Sequence, residues 1–139
     1  MNLAQPAKLA RHCASAFLLL TACTCNWAHD RKPFRLECHG DRIIDSQPIE
    51  HLADAIYYID PNLPALQVWN PVTGRYAAWN GDLHVTRKGV IFRGSRVAIP
   101  QGATVNRTFN YVRSSSAVTD IVDASWGAGM AFKGKCVRR

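Results

Sequence analysis

Two short runs, one near the front of the chain and one at its end, limit what this sequence can become. In Phe34-Arg35-Leu36-Glu37-Cys38 every second residue is apolar, with Arg35 and Glu37 between them. In the run from Met130 to Cys136, the residues Met130, Phe132 and Cys136 share one face, and Lys133 and Lys135 the other. A side-chain period of two is the signature of a half-buried β-strand. In both runs the cysteine falls on the apolar face. The pattern predicts that first and last strands lie side by side in the core, joined by a Cys38–Cys136 disulfide. The chain between them is then a β-rich loop closed on itself.

That intervening chain reads as short strands separated by turn signals. Gly40-Asp41 interrupts the first strand, which Ile43-Ile44 briefly continues, and Pro48 to Ala53 is assigned to a single helical turn, with proline early where its missing N–H costs nothing. Ala55 to Asp60 is rich in β-branched and aromatic residues. Leu66 to Trp69 and Arg75 to Trp79 flank Asn70-Pro71-Val72-Thr73-Gly74, a turn that places Trp69 beside Tyr76. Asn80-Gly81-Asp82 reads as a further tight turn. Leu83–Thr86 and Val90–Arg93 form a hairpin about Arg87-Lys88-Gly89, and Gly94-Ser95 with Arg96–Ile99 makes another short element, ended by Pro100-Gln101-Gly102. Thr104–Arg113 alternates, with Val105, Phe109 and Tyr111 opposite Asn106, Thr108 and Asn110. Val118–Val122 and the closing strand complete the set. The expected fold is all-β: a small antiparallel meander of about eight to ten short strands, barrel or sandwich, whose ends meet.

The first residues stand apart from this domain. Lys8 and Arg11 precede the uncharged run Ala14 to Ala22, the form of an export signal and too short for a membrane-spanning helix. Its end, Leu20-Thr21-Ala22-Cys23, resembles the lipobox of bacterial lipoproteins. The resemblance implies cleavage before Cys23 and acylation of that cysteine. Thr24 in place of Asp implies an outer-membrane destination, with the domain facing the periplasm. The organisation expected is a signal over residues 1–22, a tether over 23–32 and one β-domain over 33–139. The alternative is cleavage after Ala28 and a soluble periplasmic or secreted protein. That alternative leaves two of the five cysteines, which pair cleanly; cleavage before Cys23 leaves Cys25 to be accounted for.

Removing the signal lowers Lys plus Arg from 17 to 15 against 10 acidic residues, a net of +5. A modest positive field favours an anionic envelope component as partner. The basic residues are scattered, which is the pattern of a solvated surface, and no nucleic-acid partner is expected. No GxSxG, HExxH or CxxC motif occurs, no glycine-rich phosphate loop is present, and Cys38 and Cys136 are taken by pairing. His39, His51 and His84 are candidate bases without a recognisable setting. No metal, cofactor or catalytic residue is assigned. Asn106-Arg107-Thr108 matches a glycosylation sequon, which carries little weight given the bacterial source that the lipobox resemblance implies. Trp69, Arg75, Tyr76 and Trp79, near hairpin ends, are the candidate ligand-binding residues, since exposed rings beside a guanidinium stack on sugars or bases; core filling is the competing role for tryptophan.

Two broader resemblances follow. Tyr57-Tyr58-Ile59-Asp60, Asn106-Arg107 and Gly134-Lys135-Cys136 resemble a loose group of small exported bacterial proteins, which implies no activity. A cysteine near each end and Lys133-Gly134 ahead of Cys136 resemble periplasmic lysozyme-inhibitor lipoproteins of the small barrel type. Against the second, Ala124 to Gly129 is a poor counterpart of the inhibitory loop, and a basic protein is an unfavourable partner for a cationic lysozyme. The expected role is therefore a non-enzymatic envelope lipoprotein that binds or supports another component. Inhibition of a wall-degrading enzyme is the alternative, and a small secreted hydrolase the second. The intact mass of the protein recovered from membranes is expected to equal the chain from Cys23 onward plus acyl chains; a mass starting at His29 overturns the anchor.

Overall fold

The computed structural model describes residues 32–98, 102–127 and 129–139. Cys13, Cys23 and Cys25, and with them the proposed signal and anchor, lie outside these residues. Eight strands follow one another: β1 (Phe34–Ile44), β2 (Glu50–Ile59), β3 (Ala65–Asn70), β4 (Arg75–Val85), β5 (Gly89–Ala98), β6 (Ala103–Val112), β7 (Ala117–Ala124) and β8 (Gly129–Arg138). Each pairs antiparallel with its sequence neighbours, and β8 returns to β1 to close a barrel. No helix occurs among the described residues.

The seam between β1 and β8 is long. Its register runs from Leu36 opposite Arg138 to Ile44 opposite Met130. Arg35 and Arg139 extend it, each donating its backbone N–H to the other's carbonyl at 3.0 and 2.8 Å. Cys38 stands directly opposite Cys136, and the two are bonded with their Cα atoms 4.0 Å apart. The alternation explains why the sulfurs meet. Phe34, Leu36 and Cys38 point inward on β1, as Phe132 and Cys136 do on β8, and all five are buried. A closed barrel leaves no edge strand for unwanted pairing.

Four expectations are corrected. Asn80-Gly81-Asp82 is no turn, since β4 runs straight through it. Gly94 does not open a separate element, since β5 runs on through it to Ala98. Gly40-Asp41 does not interrupt the first strand either, although the register shifts between Gly40 and Arg42. The glycines are there for a different reason. Gly40 faces Gly134 across the β1–β8 seam, and Gly81 faces Gly94 across the β4–β5 seam. A Cβ on Gly40 would lie 2.1 Å from the Lys133 carbonyl oxygen, and one on Gly81 2.3 Å from that of Arg93. At these two seams, on opposite sides of the barrel, the backbones approach so closely that only glycine fits. The helical turn at Pro48 to Ala53 is also absent. β2 begins at Glu50, because pairing with β1 outweighs the weak helical tendency of so short a stretch. The turn after β3 is as expected: Asn70 accepts from the N–H of Gly74 at 2.9 Å, with Gly74 at a φ of 62°.

The interior is unevenly filled. Where β1 begins and β8 finishes, Leu36, Ile59, Leu66, Phe92 and Phe109 pack with no exposure. Phe34 stops that end, with the Arg138 guanidinium 3.9 Å from its ring centre. This is the sealed pole. Removing the disulfide with Cys38→Ala and Cys136→Ala frees a 98-residue separation and is expected to lower unfolding free energy by about 3–5 kcal/mol in urea titrations. Gly94→Ala, which forces the facing strands apart, is expected to cost about 1–3 kcal/mol by the same measurement.

Candidate functional site

Towards the other pole the inward positions change character. Ala55 and Ala77 are small, and Arg42, Arg96, Arg107 and Asp120 take places that a packed core gives to apolar residues. Small and polar inward residues leave the barrel unfilled there. The result is an open cavity of about 800 Å³, walled by Ile44, Val68, Val122, Met130, Phe132 and Trp79. Eight-stranded barrels enclose room for side chains or for one small ligand, and this volume falls in the range of small-molecule sites. The cavity also reaches sideways. β2 and β3 pair through only three positions, Tyr57–Ile59 against Leu66–Val68. Beyond them the strands part, so Asp54 to Tyr57 and Val68 to Pro71 line the opening.

A polar cluster forms the floor. Arg107 from β6 donates to Asp120 from β7 through Nε at 2.9 Å and through Nη2, a two-pronged pair. The Tyr57 hydroxyl from β2 donates to Asp120 Oδ2 at 2.9 Å. Arg107 is 6% exposed and Asp120 1%. Burial at that level would be costly for either charge alone; the fork and the phenol together satisfy the carboxylate. The Tyr57 ring is held against Phe109, with centroids 4.7 Å apart. Burial, and then the Asp120 charge beside it, push the Tyr57 phenol far above its ordinary value, so it stays protonated and serves as a donor.

Trp79 stands next to this floor. It is 5% exposed, and two guanidiniums rest against its ring: Arg96 at 4.0 Å and Arg107 at 5.1 Å from the centroid. The rim above is apolar and basic. Leu52, Val72, Val97 and Trp126 are exposed at this pole. Arg42 donates to Glu50 Oε2 at 2.8 Å and to the Asp54 carbonyl at 2.9 Å.

The four candidate ligand-binding residues are divided by the wall. Trp79 points inward and lines the mouth. Trp69 and Tyr76 sit opposite each other as the turn implies, with rings 5.2 Å apart edge to face on the outside. Trp69 also borders the sideways opening, while Arg75 is exposed at the start of β4 and does not line the cavity. Tyr58 adds to the outer ring cluster at 5.9 Å from Tyr76. The histidines are elsewhere. His39 pairs with Asp54, and His51 Nδ1 lies 2.9 Å from Asp41 Oδ1, both on the exposed outer face of β1 and β2. His84 is exposed on β4. No group of three or more metal-binding side chains converges among the described residues.

Arg107 and Asp120 escape a reading built on motifs. Arg107 is visible only as the middle of a sequon and of Asn106-Arg107, and Asp120 only as part of a strand. The available signal is phase: Arg107 shares the inward parity of Val105 and Phe109, and Asp120 that of Val118. Comparison with protein-family models, curated proteins and solved structures returns no match.

Asp120→Ala strands a buried guanidinium and is expected to cost about 3–5 kcal/mol in chemical denaturation. The phenol gives a pH signature. Its folded value lies above the unfolded one near 10. Above pH 10 the unfolded chain has lost a proton that the folded chain keeps, so stability contributed by this group is complete below 10 and falls as pH rises further. Tyr57→Phe is expected to flatten that alkaline decline, read as the urea midpoint from pH 8 to 11.5.

Proposed function

We propose that this chain is a non-catalytic binding protein of the bacterial cell envelope, and that the open mouth of its barrel is the binding site. The observation that carries the reading is the contrast between the two poles: one is packed solid with aromatic and aliphatic side chains, and the other holds a cavity of about 800 Å³ floored by a fixed polar cluster. Ligand sites of this kind are concave and mostly apolar, with a few placed polar groups. The buried charges of the floor engage each other, and the Tyr57 phenol is held protonated, so these groups suit recognition and rigidity better than proton transfer. His39 and His51 lie on the outer face of the wall, and neither lines the cavity, although Asp54, the partner of His39, borders its opening.

The export signal, the acylation of Cys23 and an outer-membrane location belong to the same proposal and rest on the sequence. The Cys38–Cys136 bond supports them, because structural disulfides persist in oxidising compartments.

The test uses a neutral hydrophobic reporter, N-phenyl-1-naphthylamine, titrated into the purified protein and followed by its fluorescence. Saturable binding at one site per molecule is expected. Val122→Trp, which places an indole in the mouth, is expected to weaken it at least about tenfold with the thermal midpoint nearly unchanged. Unsaturable binding, or a Val122→Trp variant that binds as well as the parent, counts against the mouth as a site.

A further inference from the structure

We infer that the mouth accepts an anionic amphiphile: a single apolar chain or ring system ending in a carboxylate or phosphate-type oxygen anion, with Arg96 holding that anion. This rests on the mouth being the binding site. It adds the chemistry of what enters.

The argument is a balance of charges around one cavity. The charged side chains that line it are Arg42, Asp54, Arg96, Arg107 and Asp120. Arg107 is joined to Asp120. Arg42 is joined to Glu50, and Asp54 to His39. Arg96 differs. Among the described residues its side chain takes part in no ion pair, and its guanidinium rests on the face of Trp79. Aromatic packing orients a guanidinium but leaves its in-plane N–H donors unused, and those donors match an oxygen anion in a two-pronged geometry. The cavity therefore presents one oriented, uncompensated cation.

The surrounding wall sets the rest of the ligand. The side chains that line it are mostly apolar, among them Ile44, Val68, Trp79, Val122, Met130 and Phe132. A free small anion gains nothing from that lining, and a neutral hydrocarbon gains nothing from Arg96. A molecule with both parts uses both. The parted strands β2 and β3 give an elongated chain a path through the wall, so a ligand longer than the cavity is deep is still accommodated.

The experiment compares decanoate, decanol and acetate by isothermal titration calorimetry on the purified protein, alongside the neutral reporter dye. Decanoate is expected to bind at least about tenfold more tightly than decanol, with acetate too weak to detect. In Arg96→Gln decanoate is expected to fall to within about twofold of decanol, with decanol itself unchanged; Arg96→Lys, which keeps the charge but not the fork, is expected to fall between. Arg96 is exposed, and an unchanged thermal midpoint verifies the variants; the parent protein's preference is read without any variant. Equal binding of decanoate and decanol overturns the anion assignment and leaves the mouth as a site, as does binding of the dye alone. Acetate binding as well as decanoate overturns the amphiphile. Loss of both long-chain ligands in Arg96→Gln makes Arg96 part of the wall rather than the anion partner. Failure of the chains and the dye together removes the mouth reading itself.

Discussion

The contact between β1 and β8 is the constraint on which everything else depends. A meander of eight strands has two free edges until its first and last members pair, and here they pair along nearly their full length. The seam uses three unlike devices at neighbouring positions. Cys38 and Cys136 supply a covalent tie, Gly40 and Gly134 let the backbones touch, and Arg35 and Arg139 exchange terminal hydrogen bonds. Closure decides which side chains face inward, and so it decides that there is an interior to be filled at one pole and left open at the other. The glycine pair on the β4–β5 side repeats the close approach half a turn around the wall, where no covalent tie assists it.

Inside, apolar packing and polar pairing are kept apart. Aromatic rings fill the pole where the chain enters and leaves. The Tyr57–Asp120–Arg107 cluster lies at the boundary between filled and empty space, with Phe109 behind the phenol and Trp79 beside the guanidinium. Three different strands, β2, β6 and β7, meet in this cluster. A buried ion pair adds little net stability by itself, but a carboxylate on β7 that accepts from β6 and from β2 ties the three strands in one register. That is how a floor can stay rigid next to a void.

The architecture was legible in the sequence because period-two alternation is a direct consequence of strand geometry. Phe34 to Cys38 and Met130 to Cys136 gave the seam and its bond, and Val105, Phe109 and Tyr111 gave the inner face of β6. Turn chemistry was a poorer guide. Asn70 to Gly74 is a true turn, yet Asn80-Gly81 has the same local signature inside a strand, because glycine serves both a positive φ and a close approach and composition does not distinguish them. The site was less legible still. Trp79 drew notice as an aromatic, but so did Trp69 and Tyr76, which face outward; only register separates them. Tyr57 and Arg107 belong to the short runs Tyr57-Tyr58-Ile59-Asp60 and Asn106-Arg107, which by themselves carry no chemistry. Their partner Asp120 comes from a strand 63 residues from Tyr57 in sequence, and no local pattern reports a contact at that distance.

One consequence of the closure concerns orientation. The first strand starts, and the last one finishes, at the pole that is packed shut. Any leash fastened ahead of Lys32, whether acyl chains or a surface used in the laboratory, therefore grips the molecule at the end farthest from its aperture. A fastening at either terminus of the domain thus joins it at the pole opposite the mouth.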